Sequence, residues 1–366
     1  MRDVVVVGGG VIGLSIARKL AISGRRVTLL DRQDLGREAS WAGAGILPPG
    51  FPGDSNHPLT SWTSQTHAMW PSLSATLFEE TGIDNGFRSC GGLELSPAAC
   101  SVTELTEQVR IPRSLVEEMS EWKSVGVRVE PLTRDEMLTH VNGLSENQST
   151  GYRLPDLCQV RNPHHLRAMI ASCQRYGVDL RPHSPVESME IEGSRVTGVR
   201  VGMETLRADQ FVVAAGAWSS QLLGSLVPQV QVVPVRGQIL LLKLPSRPFS
   251  SVIECGARYL VPRDDGLVLV GATEEWVGFD ARTTPAGVEG LLQFAMELVP
   301  SLKEAEFVRS WAGLRPHAPG ACPTIGAVSE YRNLHIATGH FRAGLHLSPI
   351  TAQMIAASIS RAETDR

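Results

Sequence analysis

Three glycines with the spacing Gly8-x-Gly10-x-x-Gly13 stand near the start of the chain. They follow the apolar run Val4, Val5, Val6, Val7 and precede Ile12, Ile16 and Leu20, which repeat at helical spacing. The pattern predicts a strand buried on both faces, a tight turn and a helix closed by Gly24. In such a turn the first glycine lets the chain reverse, and the second lets the backbone approach a pyrophosphate. The third lets the helix pack close to the strand. The pyrophosphate then sits at the positive end of the helix. Asp31 closes a second strand at residues 27–30, where a carboxylate can accept from ribose hydroxyls. The fingerprint by itself does not separate a nicotinamide dinucleotide from a flavin dinucleotide.

Three further segments bear on that choice. The loop at 36–46, Gly36-Arg37-Glu38-Ala39-Ser40-Trp41-Ala42-Gly43-Ala44-Gly45-Ile46, is built of small residues that let backbone amides approach a large planar ligand. Val213-Ala214-Ala215-Gly216-Ala217-Trp218 is a strand entering a small-residue turn. Thr338-Gly339-His340-Phe341-Arg342-Ala343-Gly344-Leu345 is a second strand–turn–helix, able to aim a helix N-terminus at developing negative charge or to serve as a plain structural turn. No Ser/His/Asp or Cys/His arrangement and no acid–base dyad is evident in the sequence.

The elements that must position these residues follow from pattern. Residues 36–60 read as an ordered loop system with a short helix. Pro112 breaks an otherwise helical stretch at 103–122. Asn162-Pro163 reads as an N-cap with proline at the first helical position, and Gly177 as the far cap. Strands at 186–191, 196–201 and 211–213 read as a meander. Residues 259–262 and 267–270 flank Asp264-Asp265-Gly266 as a hairpin. Thr284-Pro285 opens another helix. The tail reads as a strand at 334–337, the turn at 339–344 and a helix from about Pro349.

Composition narrows the classes. The chain has 366 residues, 42% hydrophobic and 20% charged, with a net charge of −4. That is enough to bury a large core and gives no nucleic-acid or membrane footprint. No apolar run reaches the roughly 18 residues of a spanning helix, and the N-terminus is a poor signal peptide. Cys90, Cys100, Cys158, Cys173, Cys255 and Cys322 include no C-x-x-C pair. Most are expected to be buried thiols, and neither zinc nor a disulfide framework is indicated. His164 and His165 are expected to be exposed helix residues rather than metal ligands. Together these features favour a cytoplasmic protein.

The residues also carry a resemblance. VVVVGGGVIGLSIARKLA, GREASWAGAGIL, VVAAGAWS, RYLVPRDDGLVLVGATEE, WAGLRPHAPGACPTIG and ATGHFRAGLHLSP together resemble the D-amino-acid oxidase-like FAD-dependent oxidoreductases almost end to end. Within them the chain is most similar to the glycine oxidases of thiazole biosynthesis.

The resemblance implies an α/β fold: a discontinuous Rossmann-type FAD-binding domain (1–85, 151–223 and 323–366) and a mixed-sheet α+β substrate-binding domain (86–150 and 224–322). It implies that Gly8, Gly10, Val11, Ile12 and Gly13 meet the FAD pyrophosphate, and that Asp31 and Arg32 lie at the ribose. Ala39, Ser40, Ala44, Gly45 and Ile46 would lie along the cofactor, and Val186 at the adenine. Gly216 and His340, Phe341, Arg342, Ala343, Gly344, Leu345 and His346 would complete the flavin site. Arg315 would grip a substrate carboxylate, with Arg342 as a second substrate-side arginine and Tyr259 as a phenol donor. Arginine's planar fork suits this task, because a small amino acid has little apolar surface to orient it. The chemistry implied is hydride transfer from a small amine to flavin N5, giving imine or oxo acid, ammonia and, with dioxygen, hydrogen peroxide.

Non-covalent FAD, no metal and a homo-oligomer (a tetramer) are implied with it. An alternative keeps the fold and passes electrons to a quinone or a partner protein. One departure is Glu274, where some glycine oxidases carry methionine facing the pocket. Its carboxylate could repel the substrate carboxylate, attract the amine, or be taken up by solvent or a structural pair.

Overall fold

The continuous valine run lies at the centre of a sheet. In the computed structural model, which describes residues 3–52, 57–95, 114–224 and 226–364, Asp3–Val7 is an inner strand of a six-stranded sheet. The order is Thr324–Ala327, Leu334–Thr338, Gln210–Val213, Asp3–Val7, Arg26–Leu30, Asp179–Arg181. Every neighbouring pair is parallel except the outer hairpin of Thr324–Ala327 with Leu334–Thr338. Val4 and Val6 pack into one cluster with Ile16 and Leu20 of helix Val11–Ile22, while Val5 and Val7 pack into a second on the opposite face. Burial on both faces explains a run with no polar alternation.

The second layer is an eight-stranded mixed sheet. Its order is Glu306–His317, Val233–Lys243, Leu267–Gly271, Arg258–Pro262, Val252–Cys255, Gly92–Leu95, Gly151–Leu154, Glu130–Leu132. Val252–Cys255 and Gly92–Leu95 pair in parallel; the other pairs are antiparallel. One face buries Leu93, Leu95, Ile253 and Cys255 with Leu291, Phe294 and Leu298 of helix Pro285–Leu298. The other presents Tyr152, Val252, Val261, Tyr259 and Trp311. The six-stranded sheet draws its strands from 1–85, 151–223 and 323–366. The eight-stranded one draws its strands from 86–150 and 224–322, with Gly151–Leu154 as the exception.

Several local expectations are corrected. Asn162 is the first residue of helix Asn162–Arg175 rather than its N-cap, a place taken by Arg161, because its side chain reaches across to the Ser40 carbonyl, 2.8 Å away. The meander's third strand is Glu204–Leu206, and Gln210–Val213 joins the parallel sheet instead. The last helix begins at Gly344, not near Pro349, since the short turn Phe341–Ala343 runs straight into it. His165 is fully buried beside Trp70 and Asn85, because its helix face packs inward; only His164 is partly open. The expected break at Pro112 lies outside the described residues. Cys158, Cys173 and Cys255 are buried and Cys90 and Cys322 half-buried, all as free thiols. No helix among the described residues is long and apolar enough to cross a membrane.

Four buried histidines give an acid limit to stability. Burial lowers His165, His340 and His346 to about 3 and His335 to about 4. Each is neutral in the folded chain and takes a proton in the unfolded chain below its ordinary value of about 6.5. Stability is therefore expected to fall as pH drops through that value, by about 1.4 kcal/mol per pH unit for each such histidine. Denaturant unfolding at pH 7 and pH 5 measures it. His335→Gln, which removes one of the four, should make the dependence shallower; an unchanged slope would contradict this account.

Candidate active site

The nucleotide end is built from backbone. Gly10 caps helix Val11–Ile22 with no side-chain bond, and the first turn carries no acidic residue. Val11 N donates to Ser40 Oγ at 3.0 Å, while the helix end keeps its positive potential facing the cleft. The packing beneath requires glycine. A Cβ on Gly13 would lie 1.8 Å from the Gly8 carbonyl oxygen, and one on Gly8 would lie 2.2 Å from that of Ala214. Asp31 closes the turn: its Oδ2 accepts from Gly9 N at 2.6 Å and its Oδ1 from Gln33 N at 2.9 Å. Burial pushes the Asp31 carboxyl up, and those two amides offset only part of the rise. The carboxylate expected at a ribose therefore also holds the glycine turn. Arg32 stacks on Trp218, 3.6 Å from the ring centre, and bonds Glu38.

The 36–46 loop is tied down from three sides. Gly36 N donates to Gly9 O at 2.8 Å, and Trp311 Nε1 to Ala42 O at 3.1 Å. Arg263 NH2 donates to Ala44 O at 2.7 Å, and its NH1 to Gln159 Oε1 and Val160 O. Burial lowers the Arg263 guanidinium to about 10, still cationic at neutral pH. Arg263 and Asn162 support the loop from distant segments. Neither was singled out for this from the sequence, where they read as hairpin and helix-cap residues.

At the other end of the cleft stand Tyr259 and Arg315, near enough for the arginine's charge to act on the phenol. Arg315 NH1 also donates to Thr273 O at 3.0 Å. Two glycines make the room. A Cβ on Gly237 would lie 2.3–2.5 Å from the Arg315 guanidinium, and one on Gly271 would lie 2.5 Å from the Tyr259 ring. Burial pushes the Tyr259 phenol up, so it stays a donor, opposed by the charges of Arg315 and Arg342. Arg342 lies at the exposed rim, paired with Glu274. Glu274 thus forms a structural pair, the third of the roles open to it.

One cleft of about 570 Å³ connects the two ends. It is lined by Gly8, Gly10, Val11, Ile12, Asp31, Arg32, Ala39, Ser40, Ala44, Gly45, Ile46, Val186, Gly216, His340, Phe341, Arg342, Gly344, Leu345, Tyr259 and Arg315. Gly13, Ala343 and His346 do not line it. Gly13 sits under the turn, and His346 is buried with its carbonyl accepting from Thr66 and Trp70. Gly237, Glu254 and Gly313 also line the cleft and were not anticipated. Their positions depend on strand register, which leaves no local signal. Among the described residues no group of three His, Cys, Asp or Glu could hold a metal ion.

The cleft fits a flavin dinucleotide. A helix end whose N-cap is a glycine faces one part, a carboxylate and a stacked arginine the next, and the buried Asn162 Oδ1, which has no partner among the described residues, lies along the loop. The comparisons with known proteins agree. The family model described as FAD dependent oxidoreductase (DAO) matches residues 3–358. A glycine oxidase from Pseudomonas aeruginosa is 36% identical over 98% of this chain and 95% of its own. A bifunctional protein ThiO/ThiG from Trichormus variabilis is 34% identical over the whole chain, which spans 53% of that protein. The crystal structure of glycine oxidase from Geobacillus kaustophilus superposes with a TM-score of 0.90 at 30% identity, covering 99% of this chain and 95% of its own. With a glycine-turn nucleotide site, one cleft running from that turn to Tyr259 and Arg315, and a match from end to end, the chain belongs to the D-amino-acid oxidase-like family of FAD-dependent oxidoreductases, and its cofactor is FAD.

Proposed function

We propose that this enzyme oxidises glycine and other small amines, sarcosine and D-alanine among them. The products are the imine and then the oxo acid with ammonia, and dioxygen is reduced to hydrogen peroxide. The observation that carries the reading is the Arg315–Tyr259 pair in a cleft that two glycines widen for it. FAD, when bound, supplies the hydride acceptor. Arg315 holds the substrate carboxylate by two parallel hydrogen bonds, and Tyr259 adds a third donor. That grip orients a small molecule with little apolar surface, so the chain contributes mainly positioning. The glycine oxidase relatives support the substrate, and the ThiO/ThiG relative supports a supply of imine to thiazole synthesis. The cofactor is read as non-covalent, and its contacts as the cleft-lining residues above. The same reading assigns 1–85, 151–223 and 323–366 to FAD binding and 86–150 and 224–322 to the substrate domain.

The pairing of Arg342 with Glu274 bears on substrate choice. The two charges cancel at the rim, leaving Arg315 as the cation for one carboxylate. Glu274→Gln is expected to raise kcat/KM for a dicarboxylic amine such as iminodiacetate by roughly 10-fold relative to glycine, the scale of one uncovered charge at short range. An unchanged ratio would sink this role for the pair.

The test of function is direct. The visible spectrum of the purified protein is recorded, and glycine, sarcosine and D-alanine are added separately without air and then with it. Bleaching without air and peroxide on re-aeration is the expected result. Bleaching with negligible peroxide would favour a quinone or protein acceptor. A yellow protein that none of the three bleaches would remove the substrate proposal.

A further inference from the structure

A row of polar side chains crosses the cleft face of the eight-stranded sheet. In cross-strand register, Tyr152 pairs with Glu94, Glu94 with Glu254, and Glu254 with Tyr259. Their strand neighbours Leu93, Leu95, Ile253 and Cys255 turn into the opposite core, so the polar residues share the other face. Glu254 lines the cleft beside Tyr259 and stands directly opposite Glu94 on the neighbouring strand. Tyr152 continues the row outward, its hydroxyl accepting from Trp122 Nε1 at 3.1 Å and donating to Glu118 Oε2 at 3.3 Å.

The chemistry of the proposed reaction leaves a task for such a group. An α-amino acid carries an ammonium near neutral pH. A hydride leaves the α-carbon only when the nitrogen has a lone pair to push, so one N–H proton must go first. We propose that Glu254, paired with Glu94 and set opposite Tyr259 in the cleft, receives the proton that the substrate ammonium loses before oxidation. This rests on the amine-oxidase reading above. In the step an N–H bond breaks, an O–H bond forms on Glu254, and the electron pair stays on nitrogen. Side chains directly opposed on neighbouring strands stand about 5 Å apart at Cβ. That spacing suits a molecule whose carboxylate is held by Tyr259 and Arg315 and whose nitrogen is two bonds further on.

The groups facing Glu254 set its proton affinity. Burial raises its carboxyl, and neighbouring Glu94 and the positive charge of Arg342 offset part of the rise. Tyr259 faces it as a neutral phenol, with Arg315 beyond. Two carboxyls on directly opposed positions resist ionising together, and the ionised Glu254 is the acceptor for the proton.

The test is anaerobic flavin reduction by glycine from pH 6 to 10 in the wild-type holoenzyme and in Glu254→Gln. The variant is expected to be about 100-fold slower at pH 7 and to recover most of the rate toward pH 10, where the amine arrives deprotonated. Acetate, which has no amine, should bind the variant several-fold more tightly by flavin absorbance, because a negative charge is gone. Should Glu254→Gln fail to retain FAD, Glu94→Gln decides. It keeps the acceptor and removes its partner, so the inflection of the pH profile must move. Profiles that run parallel in wild type and Glu254→Gln, or an unmoved inflection in Glu94→Gln, would overturn the proton role alone. A wild type that no small amine reduces would overturn the oxidase reading and this role with it.

Discussion

Arg315→Ala is expected to lower kcat/KM for glycine by on the order of 100-fold or more while FAD stays bound. The loss corresponds to about 3 kcal/mol, the scale of two charge-assisted hydrogen bonds to one carboxylate. Most of it should appear in KM, because the bond to the carboxylate is present in the ground state as well as in the transition state. Arg315→Lys should restore only part of the activity, since lysine keeps the charge and loses the planar fork. Gly237→Ala tests the same contact from the other side. It keeps the arginine but sets a methyl 2.3–2.5 Å from the guanidinium, which must move. Its KM should lie between those of the wild type and Arg315→Ala. Steady-state kinetics with an absorbance ratio for bound FAD decides the matter, and a normal KM in Arg315→Ala would remove the assigned role.

Gly13→Ala should do the most damage of any single methyl added to the nucleotide site. The new Cβ would meet the Gly8 carbonyl oxygen at 1.8 Å and its carbon at 3.0 Å. Both obstacles are backbone, so no rotamer change relieves them. Helix Val11–Ile22 must lift from strand Asp3–Val7 and open the cluster of Val4, Val6, Ile16 and Leu20. A cost of about 3 kcal/mol, at the upper end for overpacking, is expected, together with loss of FAD through purification. Gly10→Ala makes the contrast. Its Cβ meets only Ser40 Oγ, at 3.0 Å, a side-chain atom that can turn away. That variant should keep the apoprotein's Tm within a few degrees and still lose FAD affinity, because the methyl points at the pyrophosphate path. Equal Tm losses in the two variants would mean that Gly10 is a packing residue as well.

Much of this molecule is legible in short stretches of its sequence. The valine run, the glycine spacing and Asp31 announce a strand–turn–helix–strand unit, because two-sided burial, tight turns and helix ends are local requirements with local signatures. The hairpin at 258–262 and 267–271 and the helix opened by Thr284-Pro285 were equally plain. Arg315 and Tyr259 were legible as candidates only through the blocks that resemble known enzymes. Long-range pairing decided the rest. Glu254 faces Tyr259 and Glu94 because three strands align in one register, and that register is a property of the sheet. Gly237 makes room for Arg315 only because their strands lie side by side. His165 looked exposed from its neighbours in the chain, yet its helix turns it against Trp70. Asn162 carried the signature of a cap, and a tertiary contact with Ser40 claimed its side chain. Local chemistry determined which elements form and where the nucleotide turn lies. The packing of distant strands decided which charges share the cleft, since a side chain's partners are set by register and layer.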